Sequence, residues 1–129
     1  MTPDQHREKA ERIRSSAEKI DHSVFEIVIE GAYLSSMHWL NYALHKMEVT
    51  AEEHDVVHAE HLSGMDRAKI TALMPEILAA VDEMEVFRTR YVRGNVAGGL
   101  AAARRSLELY DQARDAALAV QPYRQDAAE

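Results

Sequence analysis

Apolar residues recur along this chain at spacings of three and four, and nowhere do they alternate as a half-buried strand requires. In the first stretch Ala10, Ile13, Ala17 and Ile20 form a narrow stripe among many charges, the pattern of a helix on the surface of a bundle. Its start is written in Thr2-Pro3-Asp4-Gln5: a capping threonine, a proline suited to the first helical position, and a glutamine where a capping box needs its acceptor. Asp21-His22-Ser23 marks a joint. From Val24 to Met47 the chain is then apolar on nearly every side, which predicts a central helix packed on several faces. Within it, Gly31, Ala32, Ser35 and Ser36 form a small-residue patch that admits a close neighbour.

Thr50-Ala51-Glu52-Glu53 has the form of a second capping box and predicts a short helix that Gly64 closes. Asp66 restarts the chain, and Pro75 either begins or kinks the next segment. Ile77, Val81 and Met84 carry helical spacing from Met74 to about Arg93. Gly94, Gly98 and Gly99 break it before a last helix from about Leu100 to Val120. The tail, 121–129, contains Pro122 and is expected to fray. The pattern therefore predicts an all-α fold: one domain over residues 1–129, an up-and-down helical bundle of four long helices and one short one.

Composition supports a globular chain, with 47% hydrophobic and 29% charged residues. Cysteine is absent, which removes disulfides and thiolate metal sites. The polar N-terminus lacks the apolar core of a signal peptide, and no apolar run nears the roughly 18 residues of a membrane span. A cytoplasmic protein without membrane association is expected. The net charge of −7 argues against wholesale phosphate-driven binding of nucleic acid but leaves room for a local basic site.

The central stretch reads Glu30-Gly31-Ala32-Tyr33-Leu34-Ser35-Ser36-Met37-His38-Trp39-Leu40-Asn41-Tyr42-Ala43-Leu44, followed after a link by Glu53-His54. It resembles the HEPN superfamily, whose central helix carries an Ala-Tyr pair, an aromatic or His one turn on, and an Ala-Leu-like end. A His follows near the start of the next helix. Phe87-Arg88-Thr89-Arg90-Tyr91 is similar to the family's Arg-x-x-Tyr stretch. The resemblance implies a dimerising bundle of the kind that binds nucleotides, binds or cleaves RNA in toxin–antitoxin and defence systems, or partners a small nucleotidyltransferase. RNA-cleaving members also carry a His separated from their arginine by four to six residues. At the matching distance from Arg88 stand Arg93, Gly94 and Asn95, and no histidine lies beyond His61. Arginine stays protonated and moves protons poorly near neutral pH, so ribonuclease activity is not expected and no catalytic residue is assigned.

The residues themselves point to the same segment. Between Val86 and Leu107 there are five arginines and no acidic residue, in an otherwise acidic chain. Guanidinium groups pair with phosphate in a bidentate way that lysine cannot match. Arg88, Arg90, Tyr91 and Arg93 are the candidate nucleotide- or RNA-binding residues. Arg88 also falls in register with Ile77, Val81, Met84 and Tyr91, so its stem must pack and its head must find a partner or a cleft.

His54, His58 and His61, at i, i+4 and i+7, are expected on one face of the short helix. Three such residues span about 10 Å, too far to share one ion. There is no His-Glu-x-x-His, since Asp55 follows His54, and no Glu-x-x-His. No metal site and no cofactor are therefore assigned. His38 and His45, two turns apart on the central helix, read as satisfied core histidines. Ser35 and Ser36 beside His38 do not reproduce a hydrolase pair, for no Gly-x-Ser-x-Gly elbow exists. A long helix apolar on all faces in so small a protein predicts a homodimer through the central or fourth helix. Two functions follow as expectations: a dimeric nucleotide- or RNA-binding module, or a non-catalytic bundle that binds a protein such as an antitoxin or nucleotidyltransferase.

Overall fold

The computed structural model describes residues 1–121, and those residues are all-helical, without a strand. The segment from Pro122 on, most of the tail expected to fray, lies outside the described residues. Five α-helices follow in order: α1 (Pro3–Lys19), α2 (Phe25–Lys46), α3 (Gly64–Leu73), α4 (Pro75–Phe87) and α5 (Gly99–Ala119). Among the described residues, no helix is long and apolar enough to cross a membrane.

Helix α1 begins as its sequence dictates. The Thr2 hydroxyl accepts from the Gln5 backbone N–H at 3.2 Å, and the Gln5 side chain accepts from the Thr2 N–H at 2.9 Å. Helix α2 is the centre of the molecule and packs against α1, α4 and α5. Trp39, Leu40 and Leu44 of α2 meet Ile77 and Met84 of α4 and Leu109 and Tyr110 of α5 in one continuous core. The small-residue patch does its expected work at Gly31. A Cβ added there would stand 3.1 Å from the Cβ of Ala17, so glycine lets α1 approach closely. Ser35 and Ser36 satisfy their hydroxyls on the carbonyls of Gly31 and Ala32 within the same helix.

The short helix expected from Thr50 does not form. Residues 47–58 are irregular, and only a 3₁₀ turn at Ala59–His61 precedes α3. Tertiary partners take over the groups that a helix would use. Asn41 donates to the Val56 carbonyl at 2.8 Å and accepts from the Val56 N–H at 2.7 Å, which mimics a backbone bridge. The Thr50 hydroxyl bonds His45 rather than capping. The short helix is instead α3, capped by Ser63, whose hydroxyl accepts from the Asp66 N–H at 3.0 Å.

The segment expected as one helix from Met74 to Arg93 also divides. Pro75 begins α4, and after Phe87 the chain widens into a π-helical turn over Arg88–Arg93. Gly94 ends it, donating its N–H to the Thr89 carbonyl at 3.1 Å. A Cβ on Gly94 would come within 2.7 Å of the Arg90 carbonyl oxygen, so this exit requires glycine.

Candidate functional site

Arg88 is the innermost of the candidate arginines. Its Nε donates to Glu30 on α2 at 3.0 Å and its Nη1 to Glu85 at 2.8 Å, while the guanidinium lies 4.3 Å from the centre of the Tyr33 ring. Burial pushes the Glu85 carboxyl up, but hydrogen bonding and charge from Arg88 outweigh it and hold Glu85 below the ordinary glutamate range. Burial raises the Tyr33 phenol to about 12. Arg88 therefore fastens the π-helical turn to α2.

Arg93 joins the same carboxylate through a longer contact of 3.4 Å and remains exposed. Arg90 is exposed too and makes no ion pair among the described residues. Tyr91 turns to the start of α5, its ring 5.9 Å from that of Phe87 and against Gly98. The structure thus brings Arg88 and Arg93 together on Glu85, leaves Arg90 in solvent, and gives Tyr91 a packing role. Among the later arginines, Arg105 is held by Glu83 at 2.9 Å, and Arg104 has no carboxylate partner among the described residues.

Beside Arg88 a cleft of about 320 Å³ opens between α1, α2 and the 47–58 loop. Ile27, Leu34 and Val57 stand exposed around it, and Glu30, Tyr33 and His58 supply its polar groups. The His58 Nδ1 is buried without a hydrogen-bond partner among the described residues.

A second cluster was not anticipated. His6 of α1, His38 and His45 of α2, and Asp55 of the loop converge where the N-terminal half of α1 crosses the end of α2. The His6 Nε2 and the His45 Nε2 each lie 2.8 Å from the same oxygen, Oδ1 of Asp55. Behind them, His6 Nδ1 is 2.9 Å from His38 Nδ1, and His45 Nδ1 is 2.9 Å from the Thr50 hydroxyl. His6 and His45 are buried, whereas Asp55 is partly open to solvent. Burial lowers the pKa of His6, and it lowers that of His38 to about 4, aided by the neighbouring His6. Burial raises the Asp55 carboxyl, but hydrogen bonds from His45 and His6 prevail and bring it to about 2. Imidazole nitrogens around an ionised carboxylate are a donor set suited to a metal ion.

The readings of His38 and His45 as satisfied inner histidines agree with these contacts, though His38 keeps one edge toward solvent. His54, His58 and His61 do not share a helical face, because the helix that would carry them is absent. His54 and His61 are exposed, while His58 is half-buried and packs edge-on to His61 at 5.2 Å. Sequence reasoning missed His6 and Asp55. His6 did leave a signal: it stands one turn before Ala10 and extends the Ala10–Ile13–Ala17–Ile20 stripe, so it had to face the core. Asp55 left none, since a loop side chain carries no periodicity.

Set against known proteins, the chain matches no family model, no curated protein and no solved structure.

Proposed function

We propose that the chain is a HEPN-like dimeric module that binds a phosphate-bearing ligand, a nucleotide or RNA, without cleaving it. The observation that carries this reading is the gathering of arginine where α4 ends and α5 begins, in a protein whose net charge is −7. Arg88 anchors the turn through Glu30 and Glu85. The exposed Arg90 and Arg93 are then the residues that meet phosphate, and the long Arg93–Glu85 contact exchanges for a stronger anion at little cost. A π-helical turn is rare and is found frequently at functional sites, which adds weight to this segment. No histidine follows Arg88 to move a proton, so binding without hydrolysis is the expected chemistry.

Fluorescence anisotropy with a short single-stranded RNA, repeated over a salt series, tests this. Each phosphate neutralised contributes about −0.7 to the slope of log K against log salt. Replacing both Arg90 and Arg93 with Ala should weaken binding and flatten that slope by about 1.4. Equal affinity and slope in the double variant would sink the proposal.

A second reading has its own support in the cleft beside Arg88. Exposed Ile27, Leu34 and Val57 around an apolar opening suit a protein-interaction module, whose partner would be a second copy, an antitoxin or a nucleotidyltransferase. Ile27→Glu with Leu34→Glu, followed by sedimentation and by RNA binding, separates the two readings. Loss of association in this variant, with no RNA binding by the unaltered chain, favours the interaction module. RNA binding that persists in this variant and falls when Arg90 and Arg93 are replaced favours the first reading.

A further inference from the structure

The histidine–aspartate cluster lies away from the arginine-rich turn and has no part in the function proposed above. Its three inner donors come from the second turn of α1, the last turn of α2 and the irregular loop. We propose that His6, His45 and Asp55 form a site for one divalent first-row transition cation of the zinc class, bound by the two Nε2 atoms and an Asp55 carboxylate oxygen.

The geometry is near what such an ion needs. The donor atoms of the three residues all lie within 4.8 Å of one another, and each Nε2 is 2.8 Å from the Asp55 oxygen. A tetrahedral ion with ligands at about 2.0–2.1 Å holds its donors roughly 3.3 Å apart. The carboxylate has to retreat by about half an ångström on that standard. Asp55 can do so, because it sits on a loop with its side chain 31% exposed. The exposed side of Asp55 is the way in, and there the Met1 ammonium, 3.4 Å from the same Oδ1, has to give way to the ion.

The surrounding atoms fit both with and without the ion. Without it, Nε2–H of each histidine donates to Asp55. His38 donates through Nδ1–H to the bare Nδ1 of His6, and the Thr50 hydroxyl donates to the bare Nδ1 of His45. With it, each ring moves its proton from Nε2 to Nδ1, and acceptors already stand there. The Nδ1 of His38 faces His6 once its own proton moves to Nε2, and the Thr50 carbonyl lies 3.3 Å from His45 Nδ1. Metal-bound imidazoles commonly have such a partner on the second nitrogen, which fixes the tautomer. Two imidazoles and one carboxylate select a transition cation over magnesium or calcium, which prefer oxygen.

The test uses the chain without a polyhistidine tag, titrated with Zn²⁺ by calorimetry and with Co²⁺ by visible absorption. The expected result is one ion per chain, with the intense visible bands of tetrahedral Co²⁺. His6→Gln, His45→Gln and Asp55→Asn should lose those bands. His38→Ala should keep the donors and weaken affinity about 10–100-fold. His54→Ala with His61→Ala should leave binding unchanged. Circular dichroism checks that each variant folds; if an inner histidine variant does not, Asp55→Asn and His38→Ala carry the decision. Absence of tetrahedral bands in the unaltered chain would overturn the site in favour of a metal-free hydrogen-bonded network. So would affinity that survives Asp55→Asn and disappears with the His54 and His61 substitutions.

Discussion

Arg88 lies across the Tyr33 ring at 4.3 Å and draws Glu30 and Glu85 to either side of it. One guanidinium thus fastens the turn after α4 to the middle of α2. Its removal takes this partner from both carboxylates and uncovers the ring. Glu30 is more than a third exposed, so water screens part of that loss. Arg88→Ala should cost about 1–2 kcal/mol, and for a chain of this length that lowers Tm by about 3–8 °C. Thermal unfolding followed by circular dichroism reads it, and an unchanged Tm would show the pairs to be ornamental.

The same carboxylate gives a pH dependence. The folded pKa of Glu85 lies below its unfolded value, so the folded state binds this proton less readily. Its contribution to stability is present above the ordinary glutamate pKa and is lost as pH falls below it through the folded value. Urea midpoints measured from neutral pH into that acid range should fall faster for the unaltered chain than for Glu85→Gln. Parallel curves would contradict the assignment.

In the core, the Trp39 indole N–H donates to the Tyr110 hydroxyl at 3.0 Å, and both residues are buried. Tyr110→Phe keeps the ring and removes the acceptor. Stranding the buried indole donor should cost about 1–3 kcal/mol and alter the emission of the single tryptophan. Stability equal to that of the unaltered chain would mean the indole finds another acceptor.

A tighter steric constraint operates at the start of α5. A Cβ on Gly99 would overlap the ring of Phe25, which packs against it from the start of α2. Gly99→Ala should destabilise by about 1–3 kcal/mol through overpacking. In a Phe25→Ala background the same change should cost much less, since the two sites share one space. Simple additivity in the double variant would refute the contact.

How far the fold could be read depended on whether a segment's fate was settled locally. The capping box at Thr2, the all-round apolarity of α2, Pro75 and the glycines after Arg93 each act over a few residues, and each marked an element correctly. The Thr50 capping box failed because Asn41, His45 and His6 compete for the same segment from other helices. Nothing within residues 50–58 records that competition. The widening of the helix at Arg88–Arg93 was equally hidden, since an arginine that must reach both Glu30 and Glu85 leaves no mark on spacing. Of the candidate arginines, sequence spacing placed Arg88 on the inner face. It could not say that two carboxylates would already hold it.

Segment 47–58 is held at a few points, through Thr50 on His45, Glu52 on the Met1 ammonium, Asp55 on His45 and His6, and Val56 on Asn41, rather than by a repeating backbone ladder. Between the Thr50 and Asp55 anchors, Ala51 to His54 are exposed. Extra residues inserted between Glu53 and His54 lengthen a solvent-facing arc without moving those anchors or the Glu52 carbonyl, which accepts from the Met1 ammonium at 2.6 Å, and doubling a loop costs only about 0.6 kcal/mol. An insertion between Asp55 and Val56 would instead pull one anchor off its helix. The four-residue arc is therefore the natural place to graft a fluorophore or an epitope, within reach of the histidine cluster and outside the packed core.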